Sequence, residues 1–296
     1  MTVFESLIDN LINGLGLGSI YAIIALGYTM VYGIARMLNF AHGDVIMVGA
    51  YIAFCGLLYW GLPPVVAILL AMLVCTVLGV TIEGLAYRPL RQAASLAVLI
   101  TAIGMSYLLQ NLALMIWGAN PKAFPTTFIN SSSFSLGAIR ISSATLITIL
   151  ANVAIMVGLT LFTSRTRMGK AMRCVSEDRG AAELMGINVN RTISVTFAIG
   201  SALAAIAGVL LCSSYPILQP TTGSMPGIKA FTAAVFGGIG SIPGAMLGGI
   251  LLGVIEIFGK AYISTELGDA IVFAVLILVL LIKPTGLLGR PIREKV

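Results

Sequence analysis

Residues 11–35, LINGLGLGSIYAIIALGYTMVYGIA, are 25 consecutive positions without a charged side chain. The hydrocarbon core of a bilayer is about 30 Å thick, and an α-helix needs roughly 20 apolar residues to cross it. This run is therefore long enough to cross a membrane as one helix. A β-barrel is excluded because its strands are segments of about ten residues in which apolar and polar side chains alternate.

The rest of the chain repeats this pattern. Charged residues make up 9% of the chain and apolar residues 58%, against about 25% and 45–50% in soluble domains. We predict an all-α polytopic membrane protein in which residues 1–296 form a single transmembrane domain. It should contain eight to nine transmembrane elements, some of them broken or half helices. The further apolar runs are residues 45–60, 65–82, 93–117, 141–164, 192–214, 228–239, 244–258 and 270–288.

The distribution of basic residues predicts the orientation in the membrane. Residues 165–191 carry six basic and three acidic side chains, and Lys and Arg are enriched in cytoplasmic loops. This segment, Arg88, Arg91 and the C-terminal tail should therefore be cytoplasmic, and the acidic N-terminus outside. The net charge of +6 then reflects these loops, and we expect no nucleic-acid partner. The four cysteines show no CxxC spacing, so we expect neither a metal site nor a disulfide framework.

The segment LNFAHGDV, residues 38–45, places polar groups between two apolar runs. Asn39, His42 and Asp44 are candidate substrate-pathway residues, because ionisable groups inside a membrane are functional candidates by default. In one interpretation Asp44 is the N-cap of a helix. In the other, a discontinuous helix begins near the middle of the membrane and presents its N-terminus to a substrate. The two interpretations are compatible.

A second break is predicted in FGGIGSIPGAMLGG, residues 236–249. Its glycines and Pro243 would destabilise a continuous helix by several kcal/mol, at about 1 per Gly and about 3 for Pro. Gly237, Gly238 and Gly240 are therefore further pathway candidates, and a loop outside the membrane is the alternative. Elsewhere, small residues at four-residue spacing, such as Gly14 with Gly18, predict closely packed helices.

The charged segment 165–191 predicts one short helix. Ser176 can cap it, with Glu177 and Asp178 in its first turn, and Gly186 can end it. Such a helix has about nine residues, too few to be stable alone in water. Ala181, Leu184 and Met185 share one apolar face. This face should dock on a partner, or else on the membrane domain of the chain itself.

Several stretches resemble a known family. GAAELMG, residues 180–186, looks like the cytoplasmic EAA-x-x-x-G loop of ABC importer permeases, with Gly180 where a Glu is usual. Residues 13–51, 177–191 and 227–253 together resemble the bacterial branched-chain amino-acid ABC permeases, of the shorter (LivH/BraD) type. The resemblance covers nearly the whole chain and implies an importer-permease fold.

The resemblance also implies partners and a location. In this family two different permeases pair in the cytoplasmic (inner) membrane, and two ABC ATPases bind below them. A periplasmic or lipid-anchored binding protein delivers leucine, isoleucine or valine. The coupling helix of the family maps onto residues 176–186. The implied ATPase-coupling residues are Glu177, Asp178, Ala181, Ala182, Leu184, Met185 and Gly186.

Other functions were weighed against this one. The chain has no G-x-x-x-x-G-K-[ST] phosphate-binding loop, so ATP should be used by the partner subunits, and we expect no cofactor in this chain. With one histidine and no credible nucleophile set, we do not expect an enzyme. A stand-alone secondary transporter or channel could use His42, Asp44 and Glu256 as a proton or ion relay. A permease for urea or short amides is a further alternative.

Overall fold

A computed structural model describes residues 3–125, 133–136 and 139–289. The described part is mainly α-helical, as predicted. The helices are α1 (Val3–Ala35), α2 (His42–Leu58), α3 (Pro64–Ile82), α4 (Ser95–Trp117), α5 (Ser143–Arg165), α6 (Arg167–Glu177), α7 (Arg179–Leu184), α8 (Val189–Ser214), α9 (Ser224–Gly237), α10 (Ile242–Tyr262) and α11 (Gly268–Ile282). The short strands are β1 (Lys122–Ala123), β2 (Ser133–Leu136), β3 (Ile139–Ser142) and β4 (Ile217–Leu218).

Six of these helices are long and apolar enough to cross a membrane: α1, α3 with its continuation, α4, α5, α8 and α10. The helices α2 and α11 are apolar but shorter, with 17 and 15 residues. The helix α9 has only 14 residues. A polytopic α-helical membrane protein is therefore confirmed, while the count of eight to nine transmembrane elements stays a prediction.

Close helix packing through small residues holds the centre of the molecule together. A Cβ on Gly18 of α1 would lie 2.6 Å from the carbonyl oxygen of Ile250 in α10, and a Cβ on Gly253 would overlap the Gly18 backbone. Contacts at such distances exclude any side chain larger than hydrogen. The predicted close packing of these small residues is confirmed.

The connecting segments fall into two groups that mark the two sides of the protein. The Arg36 guanidinium, after α1, donates a 2.8 Å hydrogen bond to the Ser176 carbonyl oxygen, at the end of α6. Arg179 donates to the carbonyl oxygen of Ala35. The bias of basic residues predicts that this is the inner side. On the opposite side β1 pairs antiparallel with β4, which follows the C-terminal end of α8.

Two segments that lie between the predicted apolar runs are helical. Residues 224–227 form the first turn of α9, where Pro226 is tolerated because the first N–H groups of a helix have no intrahelical partner. The charged segment after the apolar run 65–82 begins with a π-helix, Glu83–Tyr87, that continues α3. Glu83 is buried there because Arg91 and Ser194 donate hydrogen bonds to its carboxylate.

The segment 165–191, predicted to be cytoplasmic, contains two helices, α6 and α7, where one was predicted. The Ser176 cap was wrong: its hydroxyl donates to the Arg173 carbonyl oxygen at 2.7 Å. Asp178 is the actual cap of α7, and its carboxylate accepts from the Ala181 N–H at 3.0 Å. Glu177 accordingly ends α6 and does not lie in the first turn of α7. After α7, Gly186 adopts a left-handed φ of +79°, in agreement with its predicted role.

Candidate functional site

The N-termini of two short helices, α2 and α9, meet in the interior of the protein. A Cβ on Gly43, in the first turn of α2, would lie 2.7 Å from the Gly223 carbonyl oxygen. A Cβ on Gly227 would lie 2.9 Å from the Gly43 Cα. The two backbones are thus in direct contact, which requires glycine at these positions.

This meeting point lies well inside the helix bundle. The His42 Nε2 atom is 2.6 Å from the position that a Cβ on Gly27 would take, and that same position is 3.3 Å from the Gly200 carbonyl oxygen. Gly200 is 11 residues from the start of the 26-residue α8, or about 16 Å along its axis. The helix α2 therefore begins near the level of the middle of α8, which is the geometry of a discontinuous helix.

Asp44 does not act as the predicted N-cap. The cap position of α2 is Ala41, which makes no side-chain cap hydrogen bond, and Asp44 is the third residue of the helix. Its buried carboxylate instead accepts a 2.9 Å hydrogen bond from the Gln110 amide of α4. The same amide lies 3.2 Å from the Ser224 hydroxyl at the start of α9. One side chain thus connects α2, α4 and α9.

His42 and Asn39 are buried in the same region. The His42 ring packs against Tyr28 with 4.6 Å between ring centroids. Its Nε2 atom has no hydrogen-bond partner among the residues that the structure describes. The Asn39 side-chain oxygen Oδ1 accepts a 3.0 Å hydrogen bond from the Tyr87 hydroxyl. The structure therefore brings Asn39, His42 and Asp44 together around the start of α2.

The glycines of the second predicted break lie at the other end of α9. Gly238 and Gly240 have φ of +103° and +92° and form the turn between α9 and α10. The Leu288 N–H donates to the Gly237 carbonyl oxygen at 2.9 Å. The predicted break is confirmed, but the structure does not place Gly237, Gly238 and Gly240 beside His42 and Asp44.

A buried ionic cluster was missed in the sequence. The Glu256 carboxylate accepts hydrogen bonds from Lys229 at 2.7 Å, Lys260 at 2.5 Å and the Tyr21 hydroxyl at 2.8 Å. Lys229 also pairs with Asp269 at 2.5 Å. The cluster links α1, α9, α10 and α11. Lys229 and Glu256, each inside a predicted apolar run, were the available indication, because a charge buried in such a run needs a partner.

The contacts of this cluster test the predicted ion relay of His42, Asp44 and Glu256. The described hydrogen bonds of Glu256 go to Tyr21, Lys229 and Lys260. His42 contacts Tyr28, and Asp44 contacts Gln110. Within the described residues, Glu256 therefore belongs to a different polar group from His42 and Asp44, and the predicted relay of these three side chains is not assembled.

The predicted coupling residues lie in the segment that is predicted to be cytoplasmic. Leu184 is 91% exposed and Met185 is 82% exposed, and Ala181 is also exposed, whereas Ala182 is buried. Their apolar face is thus open, as expected of a surface that docks on another subunit.

One cavity, of about 490 Å³, lies between α1, α5, α8 and α10. Another, of about 680 Å³, lies beside α7. The latter is lined by Glu177, Asp178 and three arginines, Arg36, Arg91 and Arg179. The pKa of the Arg179 guanidinium is lowered, first because burial disfavours its charge and then because Arg91 and Arg36 are close. The cavity beside α7 therefore carries both signs of charge beside the predicted coupling residues.

Comparisons with known proteins agree on one family. The family model described as "Branched-chain amino acid transport system / permease component" matches residues 10–280. The high-affinity branched-chain amino acid transport system permease protein BraD of Pseudomonas aeruginosa is 49% identical over 300 residues, which cover 98% of both chains. The corresponding LivH protein of Escherichia coli K12 is 46% identical over 306 residues, which cover 99% of both chains.

A solved structure shares the fold. The chain aligns with a structure of PsaBC from Streptococcus pneumoniae in complex with Fab, with a TM-score of 0.52 over 96% of this chain and 97% of that one. The sequence identity is 16%, so this likeness concerns the fold only.

Proposed function

Because the chain belongs to the branched-chain amino acid transport system permease family, we propose that it forms the membrane pathway of an ABC importer for leucine, isoleucine and valine. The observation that carries this proposal is the similarity to BraD and LivH over almost the full length of both chains. The whole chain, residues 1–296, would act as one permease domain.

The buried polar region around α2 is the proposed substrate pathway. An amino acid is a zwitterion, so its path needs groups that tolerate both charges. The Asp44 carboxylate can receive the ammonium group, and the N-termini of α2 and α9 carry partial positive charge that suits the carboxylate. Asn39 and His42 add hydrogen-bonding groups to the same region.

In this proposal, the glycines at the C-terminal end of α9 form a turn whose movement shifts the helix. Gly238 and Gly240 have φ values that other residues rarely adopt. They allow the chain to reverse direction between α9 and α10, and Gly237 packs within this turn. Movement of this turn would shift α9, whose opposite end touches Gly43.

The partners follow from the family and from the exposed face of α7. ABC importer permeases of this family work with an ATPase, a substrate-binding protein and a second permease. We propose that the second permease is a paralogue, that two ATPases bind the inner side, and that Leu184 and Met185 dock on one of them. ATP would be used by these subunits, while this chain performs no chemical reaction and sits in the bacterial inner membrane.

The source of energy tests the importer assignment. The complete importer is reconstituted in vesicles, and leucine uptake is measured with wild-type ATPase and with the lysine of its phosphate-binding loop replaced. We expect uptake to stop with the altered ATPase and to continue with a protonophore. Uptake that survives the ATPase change and collapses with the protonophore would instead identify a secondary transporter.

The substrate is tested at the binding protein that delivers it. The purified binding protein is titrated with leucine, isoleucine and valine and, in parallel, with urea and short amides. Tight binding of the three amino acids supports the proposal. Preference for urea or an amide would leave the permease assignment standing and replace the substrate.

A further inference from the structure

The cavity of about 490 Å³ lies between α1, α5, α8 and α10, away from the buried region around α2. It lies toward the outer side, because it is lined by the first half of α1, the start of α5, and the ends of α8 and α10. The opposite ends of α1 and α5 lie next to the basic inner segment. A cavity of this size is in the range of small-molecule sites.

One cation borders this cavity. Lys260 lines it, and its side chain is 34% exposed. Its ammonium group also pairs with Glu256, which keeps hydrogen bonds from Lys229 and Tyr21 if Lys260 turns away. Lys260 can therefore exchange its carboxylate partner for another without leaving Glu256 unpaired in the membrane interior. An incoming carboxylate is the natural replacement.

The α1 wall of the cavity offers the complementary groups. Asn10 and Asn13 line it with amide oxygens that can accept hydrogen bonds from an ammonium group. One turn before Asn13, an Asp9 carboxylate oxygen is buried without a partner among the described residues. Leu17 and Ile257 add apolar surface to the lining. The cavity thus contains a cation, neutral acceptors and an apolar wall.

We propose that this cavity is an outward-facing binding site for a zwitterionic, apolar α-amino acid. Lys260 binds the α-carboxylate, Asn10 and Asn13 bind the α-ammonium group, and Leu17 and Ile257 contact the side chain. The inference rests on the proposed function and adds to it a place where the chain itself selects for a zwitterion. The substrate would occupy this site before it reaches the buried region around α2.

Protection from thiol labelling tests the site directly. Ser214 lines the cavity and is exposed, so Ser214→Cys in the complete importer in vesicles should react with a membrane-impermeant thiol reagent added outside. The variants carry Cys174→Ser, because Cys174 is exposed whereas the native Cys55, Cys75 and Cys212 are buried. We expect leucine to slow this labelling at least fivefold, whereas leucinol and isocaproate, which each lack one charge, should not. Thr265→Cys, exposed and outside the cavity lining, is the control whose labelling leucine should leave unchanged.

The role of Lys260 is tested in the same background. Adding Lys260→Met should abolish the protection by leucine, and Lys260→Arg should retain it. Lys122→Met removes a cation from the same side of the protein outside the cavity lining, and should retain the protection. If Lys260→Met does not assemble, the comparison of leucine with its two analogues, made with Lys260 intact, decides the question.

The outcomes separate this inference from the proposed function. Equal labelling with and without leucine, in an importer that transports leucine, would overturn the binding site and leave the importer assignment standing. Equal protection by leucine, leucinol and isocaproate would also overturn it, because the site would then not recognise a zwitterion. An importer that transports no branched-chain amino acid at all would overturn the proposed function itself.

Discussion

Asp44 is a buried carboxylate whose described hydrogen bond comes from the neutral Gln110 amide. Asp44→Asn keeps an oxygen for this hydrogen bond and removes only the charge. We expect leucine uptake to fall about tenfold or more, because hydrogen bonds to charged groups contribute about 1.5–3 kcal/mol. The measurement is the initial uptake rate per amount of purified importer. The control is Glu266→Gln, at an exposed carboxylate, which should leave uptake unchanged. Wild-type uptake by Asp44→Asn would show that Asp44 is not part of the substrate pathway.

Replacing Glu256 tests whether the buried ionic cluster stabilises the protein. Glu256→Ala leaves Lys229 and Lys260 without their shared carboxylate, although Lys229 keeps Asp269. Removing one partner of a buried ion pair typically destabilises a protein by about 3–5 kcal/mol. We expect a loss near the lower end of that range in the free energy of unfolding, measured by titration with denaturing detergent. The control is Glu266→Ala, and a loss no larger than that of the control would show that the cluster adds nothing to stability.

The contact between α1 and α10 depends on Gly14 and Gly18 of α1 and on Gly249 and Gly253 of α10. A Cβ on Gly253 would overlap the Gly18 backbone, whereas nothing lies within 4 Å of a Cβ on Gly158 in α5. Gly253→Ala should therefore destabilise the protein by about 1–3 kcal/mol. Gly158→Ala should be neutral or stabilise it by up to about 1 kcal/mol, because alanine favours a helix more than glycine does. Thermal unfolding of the two purified variants measures the difference, and equal shifts would contradict the packing argument.

The exposed face of α7 carries the prediction about coupling. Leu184 and Met185 are almost fully exposed, so replacing both by Asp should leave the membrane helices folded. We expect the ATPase to be lost on co-purification and uptake to fall to background, because a charge at a desolvated contact is unfavourable.

Leu184→Met with Met185→Leu is the matched control for α7, since it exchanges the two side chains and keeps the apolar area. This variant should retain the ATPase. Normal co-purification of the ATPase with the double Asp variant would place the coupling contact elsewhere.

The helices show which features of the fold can be predicted from sequence. Long apolar runs identified the helices that could cross the membrane, because length and composition are local properties. The cap of α7 was predicted wrongly, since Ser176 and Asp178 are both good caps and the fold decides between them. The π-helix at Glu83 was missed because its carboxylate is stabilised by Arg91 and Ser194, the latter far away in the chain.

For the whole molecule, prediction of the candidate sites from sequence has the same limit, because packing brings together residues that are far apart in the chain. The polar group around the start of α2 could be predicted, because Asn39, His42 and Asp44 lie close together in sequence. The outer cavity could not, because α1, α5, α8 and α10 each contribute only a few polar residues to it. Each of these residues is unremarkable in its own helix, and only the packing of the four helices brings them together.

The orientation of the whole molecule is the last consequence of its charge distribution. Cys174 is exposed on α6, beside the basic residues of the inner segment, and Thr265 is exposed just after the opposite end of α10. A membrane-impermeant maleimide should therefore label Cys174 in inverted vesicles and not in intact spheroplasts. In a Cys174→Ser background, Thr265→Cys should show the reverse pattern, and Cys174→Ser without it should remain unlabelled because the other three cysteines are buried. Labelling of Cys174 from outside would reverse the orientation, and the cavity assigned to incoming substrate would then face the cytoplasm.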